Sequence, residues 1–165
     1  MREKRLHDKL KTFLIAVGAK EGYKSFSGDS ECLDIRLKRK HIEYQPDVIW
    51  KNRTSCHIFE FAFTEDWRAI AGEFTLAWLA GCSSFTIFRL AEGIEGPGGV
   101  AFPETERRFF RNLLGVLGEK LGIKWHFFEI LGSKLGDSGL ERKHILLMLR
   151  DKHLITENTF ETFFQ

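Results

Sequence analysis

The sequence has few cysteines and no long uninterrupted apolar run. Its three cysteines, Cys32, Cys56 and Cys82, are widely spaced, odd in number and without a CxxC pair. This pattern argues against a zinc site and a disulfide framework, and it is typical of a reducing cytoplasm. Glycine, serine and threonine interrupt the longest apolar stretch, 74–90, so we expect no membrane span. Residues 1–5 lead into an amphipathic pattern rather than an apolar signal core, so we expect a cytoplasmic protein.

The sequence also lacks a strong excess of charge of either sign. Lys and Arg number 25 and Asp and Glu number 23, which gives a formal net charge of +2. This balance does not by itself argue for nucleic-acid binding, so any such argument depends on local clusters. Basic side chains cluster in three places, at residues 2–5, 9–11 and 36–40. A duplex-binding surface could use them, although each cluster alone is more typical of a solvated charged face.

What the chain does contain indicates one globular domain. It has 165 residues, of which 43% are hydrophobic, and its 16 Phe and 4 Trp predict an aromatic-rich core. The six histidines show no HxH or HExxH spacing, which argues against a histidine metal site. Residues 96–99 are rich in glycine but lack the Lys-Ser/Thr of a phosphate-binding loop.

Hydrophobic periodicity predicts an α/β domain with a mixed central sheet flanked by helices. Apolar residues at helical spacing indicate helices over residues 4–18, from about 65 to 81, and over 105–118. Alternating or continuous apolar runs indicate strands over residues 32–37, 47–51, 55–63, 84–90 and 124–131. We expect the first three strands to pair antiparallel, and the following strand–helix–strand unit to form a parallel crossover.

The C-terminal part of the chain has a different organisation. Residues 132–139 are rich in glycine and serine, and two short helices are predicted after them, over 140–149 and 156–164. We therefore divide the chain into an α/β domain over 1–131 and a C-terminal helical extension over 132–165 that packs on the same domain. The glycine-rich stretch 93–99 is predicted to be a lid or a connection.

Two carboxylates occupy otherwise apolar strands. Asp47 begins one strand and Glu60 lies within the next. A carboxylate in an apolar setting is costly unless it is paired, hydrogen-bonded or bound to a metal, so we expect the two to share a divalent-metal site. The alternatives are that Asp47 bonds to backbone amides, and that Glu60 is an exposed edge-strand charge or a partner of Arg53 or Arg68.

The arrangement around these acids resembles a known family. A helix, a strand, Pro46-Asp47, twelve intervening residues, an apolar strand ending in Glu60-Phe61-Ala62 and a further helix are similar to the restriction-endonuclease-like PD-(D/E)xK nucleases. The resemblance spans roughly residues 4–90 and implies that fold. It also implies that Asp47 and Glu60 lie on adjacent strands and hold one or two magnesium ions.

The chain departs from the family pattern at one position. The motif has a lysine two residues after the glutamate, and this sequence has Ala62 there. We expect the basic group to come from Lys51 or Arg68. The family often draws a further acid from a flanking helix, for which Glu73 is a candidate, with Glu3 and Asp8 on the first helix as others.

The resemblance implies a Mg²⁺- or Mn²⁺-dependent DNA endonuclease that hydrolyses phosphodiester bonds. Its catalytic residues would be Asp47, Glu60, Lys51 and Glu73. The DNA-binding residues would be Lys38, Arg39, Lys40 and Arg68. The alternative is a catalytically inactive module on the same scaffold that binds DNA or a protein partner. A third reading is a dimerising interaction domain. We expect no membrane association and no organic cofactor.

Overall fold

A computed structural model describes residues 2–62, 67–92, 104–132 and 138–165. The helices are α1 (Arg2–Lys20), α2 (Trp67–Leu79), α3 (Glu104–Leu121), α4 (Ser138–Asp151) and α5 (Glu157–Phe163). The strands are β1 (Lys24–Phe26), β2 (Leu33–Leu37), β3 (Lys40–Tyr44), β4 (Val48–Lys51), β5 (Cys56–Ala62), β6 (Ser84–Glu92) and β7 (Lys124–Gly132). The predicted stretch 93–99 and most of the linker 132–139 lie outside the described residues.

The central sheet has five strands in the order β1-β4-β5-β6-β7. The β1/β4 and β4/β5 pairs are antiparallel, and the β5/β6 and β6/β7 pairs are parallel. The predicted mixed sheet with flanking helices is therefore confirmed. Because parallel neighbours need a crossover connection, α2 and α3 follow β5 and β6 and cover one face of the sheet.

Alternating side chains of the strands form two apolar layers. On one face, Trp50, Phe59 and Phe88 pack against α1, α4 and α5. On the other face, Ile58 and Phe85 pack against α2, α3 and the β2–β3 hairpin. Residues 138–165 thus contribute to the first of these layers, together with α1. None of the described helices combines the length and hydrophobicity that crossing a membrane requires.

The prediction that residues 32–37 form the first strand of the central sheet is wrong. Residues 33–37 form a strand, but it pairs with β3 in a separate two-stranded sheet. The edge position next to β4 is taken by β1, which is three residues long and was not among the predicted strands. A three-residue strand is too short to produce a clear period of two, whereas the alternation in β2 comes from one face packing on the core.

Two glycines of the first helix region have different functions in the fold. The helix continues through Gly18, where a Cβ atom would lie 2.2 Å from Nε1 of Trp50. The Trp50 indole is fully buried and donates a hydrogen bond to the Leu14 carbonyl at 3.0 Å. Gly22 follows the helix with φ of +98°, which a side chain would strain. Gly18 therefore allows close packing, and Gly22 allows the turn.

Candidate functional site

Asp47 and Glu60 lie side by side on adjacent antiparallel strands. Val48 pairs with Phe59, so Asp47 comes immediately before β4 and opposite Glu60. The Asp47 backbone N–H donates to Oε2 of Glu60 at 3.2 Å, and the Phe61 N–H donates to Oδ2 of Asp47 at 2.9 Å. The two carboxyl groups are close enough for each to shift the pKa of the other. The alternative that Asp47 bonds to backbone amides is therefore partly correct, since the Phe61 amide donates to it.

Glu60 is buried on the central strand of the sheet, with 6% of its surface exposed. This excludes the alternative of an exposed edge-strand charge. The Tyr44 hydroxyl donates to its Oε1 at 2.9 Å. Burial raises the pKa of Glu60 well above its usual range, and the nearby charges of Asp47 and Glu73 raise it further. Burial and the Glu60 charge likewise raise the pKa of Tyr44, so the tyrosine remains a neutral donor.

Asp47 is held in the opposite protonation state. Burial opposes its ionisation, but hydrogen bonds from His7 and from the Phe61 amide outweigh that effect and lower its pKa. Nε2 of His7 lies 3.0 Å from Oδ1 of Asp47, and the imidazole packs edge-on against the Phe61 ring. The same bond raises the pKa of His7. The site thus pairs an ionised Asp47 with a Glu60 that favours its protonated form, an arrangement found where two carboxyls have different roles.

The donor set suits a hard divalent cation. Asp47, Glu60 and the nearby Glu73 supply carboxylate oxygens and an excess of negative charge, which Mg²⁺ and Mn²⁺ favour. Among the described residues, ligand atoms of three side chains come within 4.8 Å of one another only at Cys32, Asp34 and Glu43. A cation between Asp47 and Glu60 would therefore complete its shell with water, as Mg²⁺ commonly does.

The structure does not bring Lys51 to this site. Lys51 ends β4 and pairs with Cys56, four residues from Asp47 along the strand. At roughly 3.3 Å per residue, this separation is about 13 Å. Arg68 is exposed in the first turn of α2, and its guanidinium lies 5.1 Å from the Trp67 ring centre. The described contacts place neither cation on the acid pair, whereas Glu73 is near it.

A different basic side chain belongs to the strand next to position 62, where the motif has its lysine. Ala62 faces the same side of the sheet as Glu60 and pairs with Arg89 of β6. Arg89 is buried, and its guanidinium lies over the Phe110 ring at 4.4 Å. The register therefore points to Arg89, which the sequence analysis did not consider.

The basic residues predicted to bind DNA are at the far end of the hairpin. Lys38 and Arg39 form its turn, Lys40 begins β3, and all three are exposed. Tyr44, which contacts Glu60, is at the other end of β3, four residues or about 13 Å from Lys40 along the strand. The hairpin connects a basic tip to the acidic site.

His7 and Tyr44 belong to the site but were not among the residues predicted from the sequence. Both contact the predicted acids, but neither belongs to a recognisable spacing. Tyr44 lies three residues before Asp47, on a strand that was not predicted. His7 follows the buried Leu6 in α1, and the sequence analysis proposed Glu3 and Asp8 on that helix instead. Asp8 is exposed with its Oδ1 3.8 Å from Nδ1 of His7, and the Glu3 side chain lies outside the described part.

The chain was compared with protein-family models, with curated proteins and with solved structures. None of them matches this chain.

Proposed function

We propose that this protein is a divalent-metal-dependent phosphodiesterase that cleaves DNA, built on the restriction-endonuclease-like fold. The observation that carries the proposal is the pairing of Asp47 and Glu60 in register on adjacent strands, where each carboxyl group accepts a backbone N–H from the opposite strand. Two acids buried together are costly unless a proton or a cation lies between them. A cation-binding function explains why the chain retains both.

The order of elements supports the proposed fold. Helix α1 is followed by β1, β4 and β5 in an antiparallel arrangement, then by α2 and the parallel strand β6. The β2–β3 hairpin is inserted between β1 and β4. This arrangement agrees with the sequence resemblance over roughly residues 4–90, in which the two acids lie on neighbouring strands.

Each residue at the site would have a distinct task. Asp47, already ionised, and Glu60, after losing its proton, would be the metal ligands, and Glu73 would be an accessory acid. His7 orients Asp47 by contacting the aspartate Oδ1 atom, and Tyr44 orients Glu60 by donating to the glutamate Oε1 atom. A bound Mg²⁺ would neutralise charge on the phosphate and make water more acidic. Arg89 is our candidate for the missing basic group, in place of Lys51 and Arg68.

The basic hairpin tip supports a nucleic acid as the substrate. Lys38, Arg39 and Lys40 are exposed, and Lys40, which lies nearest of the three along the chain, is about 13 Å from Tyr44 along β3. This separation would let them contact phosphates flanking the one being cleaved. Phosphate contacts of this kind position a duplex without reading its sequence. We also propose that the protein is located in the cytoplasm.

A second candidate is a catalytically inactive module on the same scaffold. It is favoured by Ala62 at the lysine position and by Glu60, whose two oxygens already accept bonds from Tyr44 and from the Asp47 amide. Such a module could still bind DNA through the hairpin tip. It would differ from the enzyme in cleavage, not in nucleic-acid affinity.

The test combines calorimetric titration with Mn²⁺ and nicking of supercoiled plasmid DNA. We expect the wild-type protein to bind Mn²⁺ and nick the plasmid, and Asp47→Asn and Glu60→Gln to lose both properties. Asp34→Asn is the matched control, because it removes an acid from the separate Cys32–Asp34–Glu43 group. Affinity should rise with pH, since the cation replaces the Glu60 proton.

The outcomes separate the two candidates. Metal binding that depends on Asp47 and Glu60 without nicking would favour the inactive module. Undiminished metal affinity in both variants, together with no nicking by the wild-type protein, would contradict the metal site itself.

A further inference from the structure

We infer that Cys56 and Cys82 are a redox-active dithiol that closes to an intramolecular disulfide when the protein meets a small oxidant such as hydrogen peroxide. Their sulfur atoms lie 3.1 Å apart, and each residue is 8% exposed. The two are separated by 25 residues in the sequence, so only the fold brings them together. This dithiol is independent of the acid pair and of the proposed nuclease activity.

The strand register holds the two thiols in place. Cys56 begins β5, and Cys82 lies in the turn between α2 and β6. The Ser83 N–H donates to the Cys56 carbonyl at 2.7 Å, and the Cys56 N–H donates to the Ser83 hydroxyl at 3.1 Å. A disulfide has an S–S distance of about 2.05 Å, so the sulfurs must approach by roughly 1 Å. Side-chain rotation can supply this movement while the backbone bonds remain.

The local electrostatics distinguish the two sulfurs. The hydrogen bond from Cys82 lowers the pKa of Cys56, and the nearby Lys51 charge acts in the same direction. The same hydrogen bond and burial raise the pKa of Cys82. Lys51 is the cross-strand partner of Cys56 and places a positive charge beside that end of β5. Since the thiolate is the reactive form and a nearby cation favours it, we assign Cys56 as the attacking sulfur and Cys82 as the resolving one.

The reaction balances with hydrogen peroxide as the oxidant. The Cys56 thiolate attacks one peroxide oxygen, the O–O bond breaks, and hydroxide leaves and takes up a proton, giving Cys56 sulfenic acid and water. The Cys82 sulfur then attacks the Cys56 sulfur and displaces hydroxide, which takes the Cys82 proton to form a second water. Two thiols are oxidised by two electrons, and one peroxide is reduced to two waters.

The third cysteine provides an internal comparison. Cys32 is half-buried, precedes the β2–β3 hairpin, and has its sulfur close to the side chains of Asp34 and Glu43. Its reaction with the oxidant reports general thiol reactivity, whereas linkage of Cys56 to Cys82 reports their proximity. The dithiol also lies four residues from Glu60 along β5, about 13 Å.

The test is peptide mapping of the full-length folded protein after treatment with hydrogen peroxide, alkylation in denaturant and non-reducing digestion. We expect the peptides containing Cys56 and Cys82 to be linked, and dithiothreitol to restore both alkylatable thiols. Cys32→Ser should behave like the wild-type protein. Cys56→Ser and Cys82→Ser should lack the linked peptide, and Cys82→Ser should leave a sulfenic acid at Cys56 that dimedone captures.

Two results would overturn the inference. One is that Cys56 and Cys82 both remain alkylatable at an oxidant concentration that consumes Cys32. The other is that the linked peptides contain Cys32. Because the mapping is done on the wild-type chain, either result is decisive even if a serine variant fails to fold.

Discussion

The Tyr44 hydroxyl donates a 2.9 Å hydrogen bond to Oε1 of Glu60 and so joins the separate β2–β3 hairpin to the central strand of the sheet. Both side chains are buried. The hairpin therefore does more than cover an apolar face, because its last residue also supplies a polar partner to a buried acid. Four predictions concern substitutions in this site and in the core around it.

Tyr44→Phe removes this hydrogen bond and keeps the ring. We expect the free energy of unfolding to fall by about 1 kcal/mol, the usual net contribution of a buried hydrogen bond. Urea denaturation at neutral pH measures it. Tyr23→Phe is the matched control, since the Tyr23 hydroxyl is 3.5 Å from Nε2 of His57 and should contribute little. Equal losses in the two variants would contradict the prediction.

Glu60→Gln should flatten the pH dependence of stability. The pKa of Glu60 is higher in the folded protein than in the unfolded chain, so the folded state binds more protons between the two values. Its contribution to stability therefore falls as pH rises above about 4.3, the ordinary glutamate pKa. We expect the variant to be more stable than wild type at pH 8, by about 1 kcal/mol or more.

Denaturant titrations at pH 5 and pH 8 check this prediction. Glu43→Gln, which changes an exposed acid, is the control and should follow the wild-type pH dependence. A Glu60→Gln protein that loses stability at pH 8 would show that the carboxylate is favourably paired there.

His7→Ala should destabilise the protein most in mildly acidic solution. The Asp47 hydrogen bond raises the pKa of His7, so its stabilisation is complete below about pH 6.5 and is lost as pH rises through the folded-state value. His7 also lowers the pKa of Asp47, and that contribution is lost as pH falls below about 4. We expect a loss of about 1–2 kcal/mol at pH 6 and a smaller one at pH 9.

The matched control for this prediction is His41→Ala. His41 also lies close to an aspartate, with Nε2 2.8 Å from Oδ1 of Asp34, but both side chains are more than 40% exposed. Solvent screens such exposed pairs, so we expect His41→Ala to change the stability little at any pH. Thermal denaturation across pH 5–9 compares the two variants, and similar small losses would argue against a stabilising His7–Asp47 bond.

Gly18→Ala should destabilise the protein although alanine favours helices. The new Cβ would lie within 2.5 Å of three atoms of the fully buried Trp50 indole. We expect a loss of about 2 kcal/mol from overpacking. Gly72→Ala in α2 is the control, because its Cβ would meet nothing within 4 Å. That variant should gain up to about 1 kcal/mol in the same urea titration.

The sequence predicted the sheet best where its strands are long and apolar. Residues 56–62 and 84–89 form adjacent parallel strands because β5 is followed by a helix, and a helical crossover favours parallel pairing. It failed at the two strands that show no clear apolar alternation, the mostly exposed β3 and the three-residue β1. The two-residue turn at 38–39 joins β2 to a strand that was not predicted, and the three-residue β1 takes the edge position.

The candidate site shows the same division. The family resemblance implied that Asp47 and Glu60 lie on adjacent strands, and the register of β4 with β5 places them opposite one another. Only the structure excluded Lys51 as the basic group of the site. Because β4 is extended, Lys51 lies four residues along the strand from Asp47. The role of Ala62 likewise became interpretable only when Arg89 was found beside it on β6.

The sequence by itself determined the longer helices and strands, their apolar faces and the two strands that carry the acids, because these depend on local periodicity. Only the tertiary structure decided the partners of those acids and the meeting of Cys56 with Cys82. His7, Tyr44 and Glu60 come from three elements, and their contacts depend on how α1 and the hairpin pack against the sheet. Local pattern carries no information about such packing, whereas the protonation states of the site depend on it.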